Sequence, residues 1–116
     1  MEDILVKRIY DSPSKDDGYR MLIDRLWPRG VSKEDAQLDE WDKNIAPSDE
    51  LRKWFDHKDN RFEAFSKKYT NELDEKEEHV NHLLDVLKKH QLCILIGAKN
   101  EKSNHGIVLE NYLKNK

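Results

Sequence analysis

The sequence predicts an α/β fold, a single small domain spanning residues 1–116 with a small mixed sheet and helices packed on it. Three observations carry this. The stretch "LCILIGA" at residues 92–98 is a continuous apolar run, as in strands covered on both faces. "ILVKRIY" and "YRMLID" near the amino terminus alternate with the period of a strand. Three later stretches repeat apolar residues at helical spacing.

Taken in order, residues 4–10 form a strand with Ile4, Val6 and Tyr10 on one face. "DSPSKDDG" supplies a turn, and a second strand follows with Tyr19, Met21 and Ile23 alternating against Arg20, Leu22 and Asp24. Trp27-Pro28 ends it, because proline has no amide to donate and restricts the residue before it. Gly30 permits a change of direction, and Ser32 caps a short helical turn beginning at Lys33. "LDEW" gives a short edge strand through Trp41. Ser48 caps a helix over residues 48–56 whose buried stripe is Leu51, Trp54 and Phe55. Phe62, Phe65, Tyr69 and Leu73 mark the next helix, and Val80, Leu83, Leu84 and Leu87 the one after. The apolar run at residues 92–98 is the central strand. Val108, Leu109, Tyr112 and Leu113 then mark a last helix capped by Asn104.

Composition narrows the function classes. Lys and Arg number 21 against 24 Asp and Glu, a formal charge of -3, so no long-range positive field recruits nucleic acid or an anionic membrane. Any anion site must be local. Cys93 is the single cysteine, which excludes an internal disulfide. With no signal-peptide pattern and no apolar run near the ~20 residues that span a bilayer, the chain reads as cytoplasmic. Phosphate-cradling loops, dinucleotide glycine fingerprints and calcium loops are missing from the sequence, and no cofactor is expected. His79 and His82 stand three apart on a predicted helix without a zinc pattern around them, so they read as solvent-exposed and no metal is expected.

The candidate site lies where two strands end. Asp24, Arg25, Trp27 and Arg29 follow the second strand, and Lys99, Asn104 and His105 follow the apolar one. In open α/β sheets ligands sit beyond the carboxyl ends of strands. Arginine offers a planar fork for carboxylate or phosphate, and a helix amino terminus adds unpaired amides. Trp27 would supply a flat wall, which with a phosphate site points to a nucleotide-like ligand. Asp24, His57 and His105 are the candidates for proton transfer. Ser48 and Arg52 are the remaining ligand-binding candidates, with Ser48 foremost a cap. The competing reading is structural: Arg25 and Arg29 pair with Asp11, Asp17 or Asp24 while Trp27 fills the core. A third is a protein or single-strand nucleic-acid surface, since basic and aromatic residues alternate in "RLWPR", "RKWF" and "KKY", although interspersed acids disfavour nucleic acid.

"DGYRMLIDRLWPRGVSK", "LDEW", "IAPSDELRKWF" with His57, "FSKKYTNEL" and "ILIGAKNEKSNHGIVLENYL" together resemble the bacterial domain-of-unknown-function family 488, in its short YeaO-like subgroup. The likeness runs in order over nearly the whole chain. It implies a small soluble α/β protein and assigns no catalytic residue. Asp24, Arg25, Trp27, Arg29, Ser48, Arg52, His57, Lys99, Asn104 and His105 all lie in its family-typical segments. This chain reads "GAKN" where many relatives read "AAKD", which argues against a required acid at Asn100. The likeness to sulfur-transfer domains seen in longer family members does not extend to their chemistry, because no nucleophilic cysteine loop is present.

Overall fold

A computed structural model describes residues 3–116. Its sheet has four strands, β1 (Ile4–Arg8), β2 (Tyr19–Leu22), β3 (Glu40–Trp41) and β4 (Leu92–Ile96), in the order β1-β4-β2-β3. All three pairings are parallel, which corrects the expected mixed sheet. The reason lies in the connections. The last strand in the chain enters between the first two, and residues 9–18 carry the chain back before β2 begins, so both flanking strands run with β4. A central parallel strand is buried on both faces, which is why "LCILI" needs no polar alternation.

The pleat divides those residues between two apolar clusters. Leu92, Ile94 and Ile96 join Ile4, Met21 and Ile23 on the larger face, while Cys93 and Leu95 join Ile9, Leu22 and Ala36 on the smaller. Helices α2 (Asp49–Phe55), α3 (Phe62–Asp74), α4 (Glu77–Lys89) and α5 (His105–Lys114) cover the larger face. The short α1 (Lys33–Ala36) and the loop carrying Trp27 and Val31 cover the smaller one. Caps fall where the hydroxyl and amide side chains predict: Ser32 accepts from Asp35, Ser48 from Leu51, and Asn104 from Ile107. Two details depart from the expected stripes. Trp54 points outward, 39% exposed, between the cations of Arg61 and Lys68, each 5.2 Å from its ring. On α4 Val86 is buried where Leu84 was expected to be, and Leu84 packs at the margin.

A buried arginine–carboxylate lock exists, but it uses Arg20. Arg20 and Asp17 are 4% and 2% exposed, and their Nη1 and Oδ2 atoms lie 2.5 Å apart. Arg20 also donates to the carbonyls of Ala36 and Gln37, and Lys7 Nζ lies 2.9 Å from the other oxygen of Asp17. Burial alone would raise the Asp17 pKa. Hydrogen bonds from Lys7, the Ser14 amide and Arg20 overcome that and hold it below its ordinary value. The lock ties β1, β2 and the end of α1 together. Asp17 and Ser14 complete a capping box around the turn Lys15–Asp17, a signal present in "SKDD" that the turn reading passed over.

Candidate functional site

A cleft of about 290 Å³ opens at the carboxyl ends of β1, β2 and β4. Asp24, Arg25, Trp27, Arg52, His57, Asn104 and His105 all line it, so the two strand-end segments do meet. Three candidates fall outside. Arg29 is exposed, makes no ion pair with any described residue, and only its carbonyl is engaged, by the Tyr10 hydroxyl at 3.0 Å. This removes the expected pairing of Arg29 with Asp11, Asp17 or Asp24. Lys99 is exposed in the loop after β4 and does not reach the cleft. Ser48 caps α2 and donates its hydroxyl to Glu72 at 2.5 Å, so it acts as a brace between α2 and α3.

The floor is a carboxylate–imidazole pair. Asp24 Oδ2 accepts the Gly97 amide at 2.8 Å, which joins the end of β2 to the end of β4. Asp24 Oδ1 lies 2.8 Å from His105 Nε2, close enough for an ion pair yet out of line for a hydrogen bond, and both atoms are buried with no other partner. His105 opens α5, and the buried Asn104 fixes that turn by donating to the Asn100 carbonyl at 2.8 Å while its own oxygen caps the helix. Tyr69 backs the imidazole edge-on, with ring centroids 6.4 Å apart.

One wall is the segment Ile45-Ala46-Pro47, whose consecutive carbonyls are each taken by a side chain from a different element. Tyr69 donates to Ile45 at 2.7 Å, Lys76 to Ala46 at 2.8 Å and Arg25 Nε to Pro47 at 3.3 Å. A loop held at every carbonyl satisfies its buried polar groups without a strand neighbour. Burial, and secondarily the Arg25 charge, lowers the Lys76 pKa from its ordinary value, against the raising influence of Glu72 and Asp42. Asp49 Oδ1 stands 3.2 Å from Arg52 Nη2 and 3.8 Å from Arg25 Nε. His57 reaches the cleft because Asp56 and His57 both take left-handed backbone, with φ of 48° and 55°, and turn the chain at the end of α2.

Trp27 answers to both readings. Its indole nitrogen donates to the Val31 carbonyl at 2.7 Å, and the ring packs on the smaller cluster and edge-on to Trp41, centroids 5.3 Å apart, while one border lines the cleft. Apolar lining from Phe55, Phe65, Ala46 and Pro47 had no separate sequence signal, because those residues look like ordinary core or turn positions. His79 and His82, read as solvent-exposed, keep side chains 39% and 47% exposed, and they also face Asp42 at 3.1 Å and Glu40 at 2.7 Å, pinning α4 to β3 and the residue after it. Among the described residues no group of histidine, cysteine or carboxylate side chains is arranged to hold a metal. No helix there is long and apolar enough to cross a membrane.

A family model described as the inactive DUF488-N3 subclade matches residues 3–116. The chain belongs to that subclade. Within the wider likeness, the uncharacterized protein YeaO of Escherichia coli K12 is 46% identical over 112 residues, 97% of each chain. Uncharacterized proteins from Mycobacterium bovis and Mycobacterium tuberculosis are 44% identical over 70 residues, 60% of this chain and 59% of theirs. No solved structure matches. Every residue lining the cleft falls within the span matched by the model of the inactive DUF488-N3 subclade.

Proposed function

We propose that the cleft binds a small phosphate-bearing or other anionic molecule, and that it does so without turnover. The observation that carries this reading is the convergence of Arg25 and Arg52 on one cleft beside the first turn of α5. Two guanidinium groups can present parallel donors to an anion, and free amides at a helix start favour negative charge. His57 stands at the mouth, and Trp27, Phe55 and Phe65 provide apolar walls for a ring or chain attached to the anion. The volume suits a ligand no larger than a mononucleotide. Arg29 and Lys99 have no part in it.

Binding without reaction is supported by two considerations. The family's own description is of an inactive subclade. The Asp24 carboxylate is committed to Gly97 and faces His105, so it serves as a post between strands more readily than as a free base. Asp24, His57 and His105 are the candidates for proton transfer among the cleft residues.

The test is titration of the protein with inorganic phosphate and with nucleoside monophosphates, followed by backbone amide shifts. The expected result is saturable movement at Arg25, Arg52, His105 and Gly106, lost in Arg25→Ala and Arg52→Ala while both variants stay folded. Uniform silence across phosphates, sulfate and nucleotides would sink the reading. A second reading, a single-strand nucleic-acid surface, draws on the exposed Trp54 set between Arg61 and Lys68. It would show as oligonucleotide binding that falls steeply with salt and disappears in Trp54→Ala.

A further inference from the structure

We infer that Asp24 is a positioning residue that fixes the tautomer of His105, so that the cleft presents an acceptor at Nδ1 and selects anions carrying a hydroxyl donor. This rests on the anion-binding reading above and names the ligand class within it. Two orphaned atoms carry the inference. Asp24 Oδ1 and His105 Nε2 lie 2.8 Å apart, both are buried, and neither has another partner. Two bare acceptors at that distance repel, so one of them holds a proton. Carboxylates hold protons far less tightly than imidazoles, so the proton belongs to Nε2.

With Nε2 protonated, the neutral ring keeps its lone pair on Nδ1. That atom makes no hydrogen bond to any described residue and, unlike Nε2, is not a buried orphan, so it is reached from the cleft that His105 lines. Arg25 and Arg52 offer only donors, whereas Nδ1 asks for one. An anion with acceptors alone sets its oxygens against that lone pair. A hydroxyl beside the charged group donates to it instead, so a phosphate ester of a polyol or sugar fits better than one without a donor.

The same carboxylate is held from its other side. Asp24 Oδ2 accepts the Gly97 amide at 2.8 Å, which decides how an amide side chain at this position would turn. In Asp24→Asn the Gly97 amide claims the side-chain oxygen and leaves the –NH2 group facing His105 Nε2. A donor there demands a lone pair on Nε2 and moves the proton to Nδ1. The cleft atom then changes from acceptor to donor with the shape of the site retained.

The experiment reads the ring nitrogens of His105 by nitrogen NMR at about pH 8.5, where an ordinary imidazole is neutral. Expected is a proton on Nε2 in wild type and on Nδ1 in Asp24→Asn. Calorimetric titration then compares hydroxyethyl phosphate with methoxyethyl phosphate, equally charged dianions whose terminal oxygen can or cannot donate. Wild type should favour the hydroxyl compound by roughly three- to tenfold, the worth of about one hydrogen bond. Asp24→Asn should lose that preference, because hydroxyl and ether oxygens both accept from Nδ1–H; removal of the Asp24 charge strengthens both ligands alike and drops out of the ratio. His105→Ala should lose it too, and serves in place of Asp24→Asn if that variant does not fold. A proton on Nδ1, or on both nitrogens, in wild type overturns the inference. So does a preference that is absent from wild type or unchanged in the variants while both phosphates bind, which leaves the cleft an anion site. If neither phosphate binds wild type, the anion reading falls and the ligand class with it.

Discussion

Asp24 and His105 are 81 residues apart in sequence, and their Oδ1 and Nε2 atoms meet at 2.8 Å in the floor of the cleft. The second carboxylate oxygen takes the Gly97 amide, so one side chain joins the ends of two strands and the start of a helix. Asp24→Ala should cost about 1–3 kcal/mol, because the Gly97 amide and the imidazole would both lose a buried partner. Urea denaturation gives the number. A loss under 0.5 kcal/mol would mean that water replaces the carboxylate.

Gly97→Ala tests the same junction from the other side. A Cβ at that position would lie 2.9 Å from Asp24 Oδ2, so the carboxylate must shift. Chemical shifts of the His105 ring should then change, with global stability falling less than in Asp24→Ala. An unaltered ring would show that the pair does not depend on this contact.

The two arginines at issue in the scaffold reading should behave oppositely. Arg20→Ala removes one of the two cations paired with the buried Asp17, together with the donors to the Ala36 and Gln37 carbonyls, and should cost roughly 3–5 kcal/mol. Arg29→Ala touches an exposed side chain and should stay within about 0.5 kcal/mol. Equal losses in the two variants would contradict the burial assigned to them.

Asp17 also sets an acid limb. Its pKa in the folded chain is lowered from 3.8, so its contribution is present above that unfolded value and is lost as pH falls through the folded one. Wild type should therefore exceed Asp17→Asn in stability at neutral pH, and the gap should narrow below about pH 4. Denaturation at a series of pH values checks the sign; a gap that widens on acidification would refute it.

Cys93 offers a probe of the sheet centre. The thiol is buried in β4, and burial pushes its pKa up to about 11. Alkylation by iodoacetamide at pH 8 should be negligible in the folded protein and prompt in urea. Rapid labelling without denaturant would indicate that β4 is reached by frequent local opening.

The stretch "IDRLWPRG", residues 23–30, illustrates how far local reading extends. Three side chains in that short stretch have three different fates: Arg25 turns to the cleft wall, Trp27 divides between the smaller cluster and the cleft, and Arg29 points to solvent. Nothing in their spacing distinguishes them. Each outcome depends on groups brought from elsewhere, Pro47 for Arg25 and the smaller sheet face for Trp27. The capping residues behave differently. Ser32, Ser48 and Asn104 each accept from an amide three residues on, so their roles were legible from adjacent sequence alone.

The sequence by itself determined the helices, their caps, the alternation of β2 and the two-sided burial of β4, because these follow from contacts a few residues long and from the periods of strand and helix. Only the tertiary structure decided that the sheet is parallel, that Arg20 rather than Arg29 is locked to Asp17, and that Asp24, Arg25, Arg52, His57 and His105 share one cleft. Those outcomes are set by which strand ends lie side by side. That adjacency is fixed by where the central strand inserts, a relation between segments far apart in the chain that local periodicity does not encode.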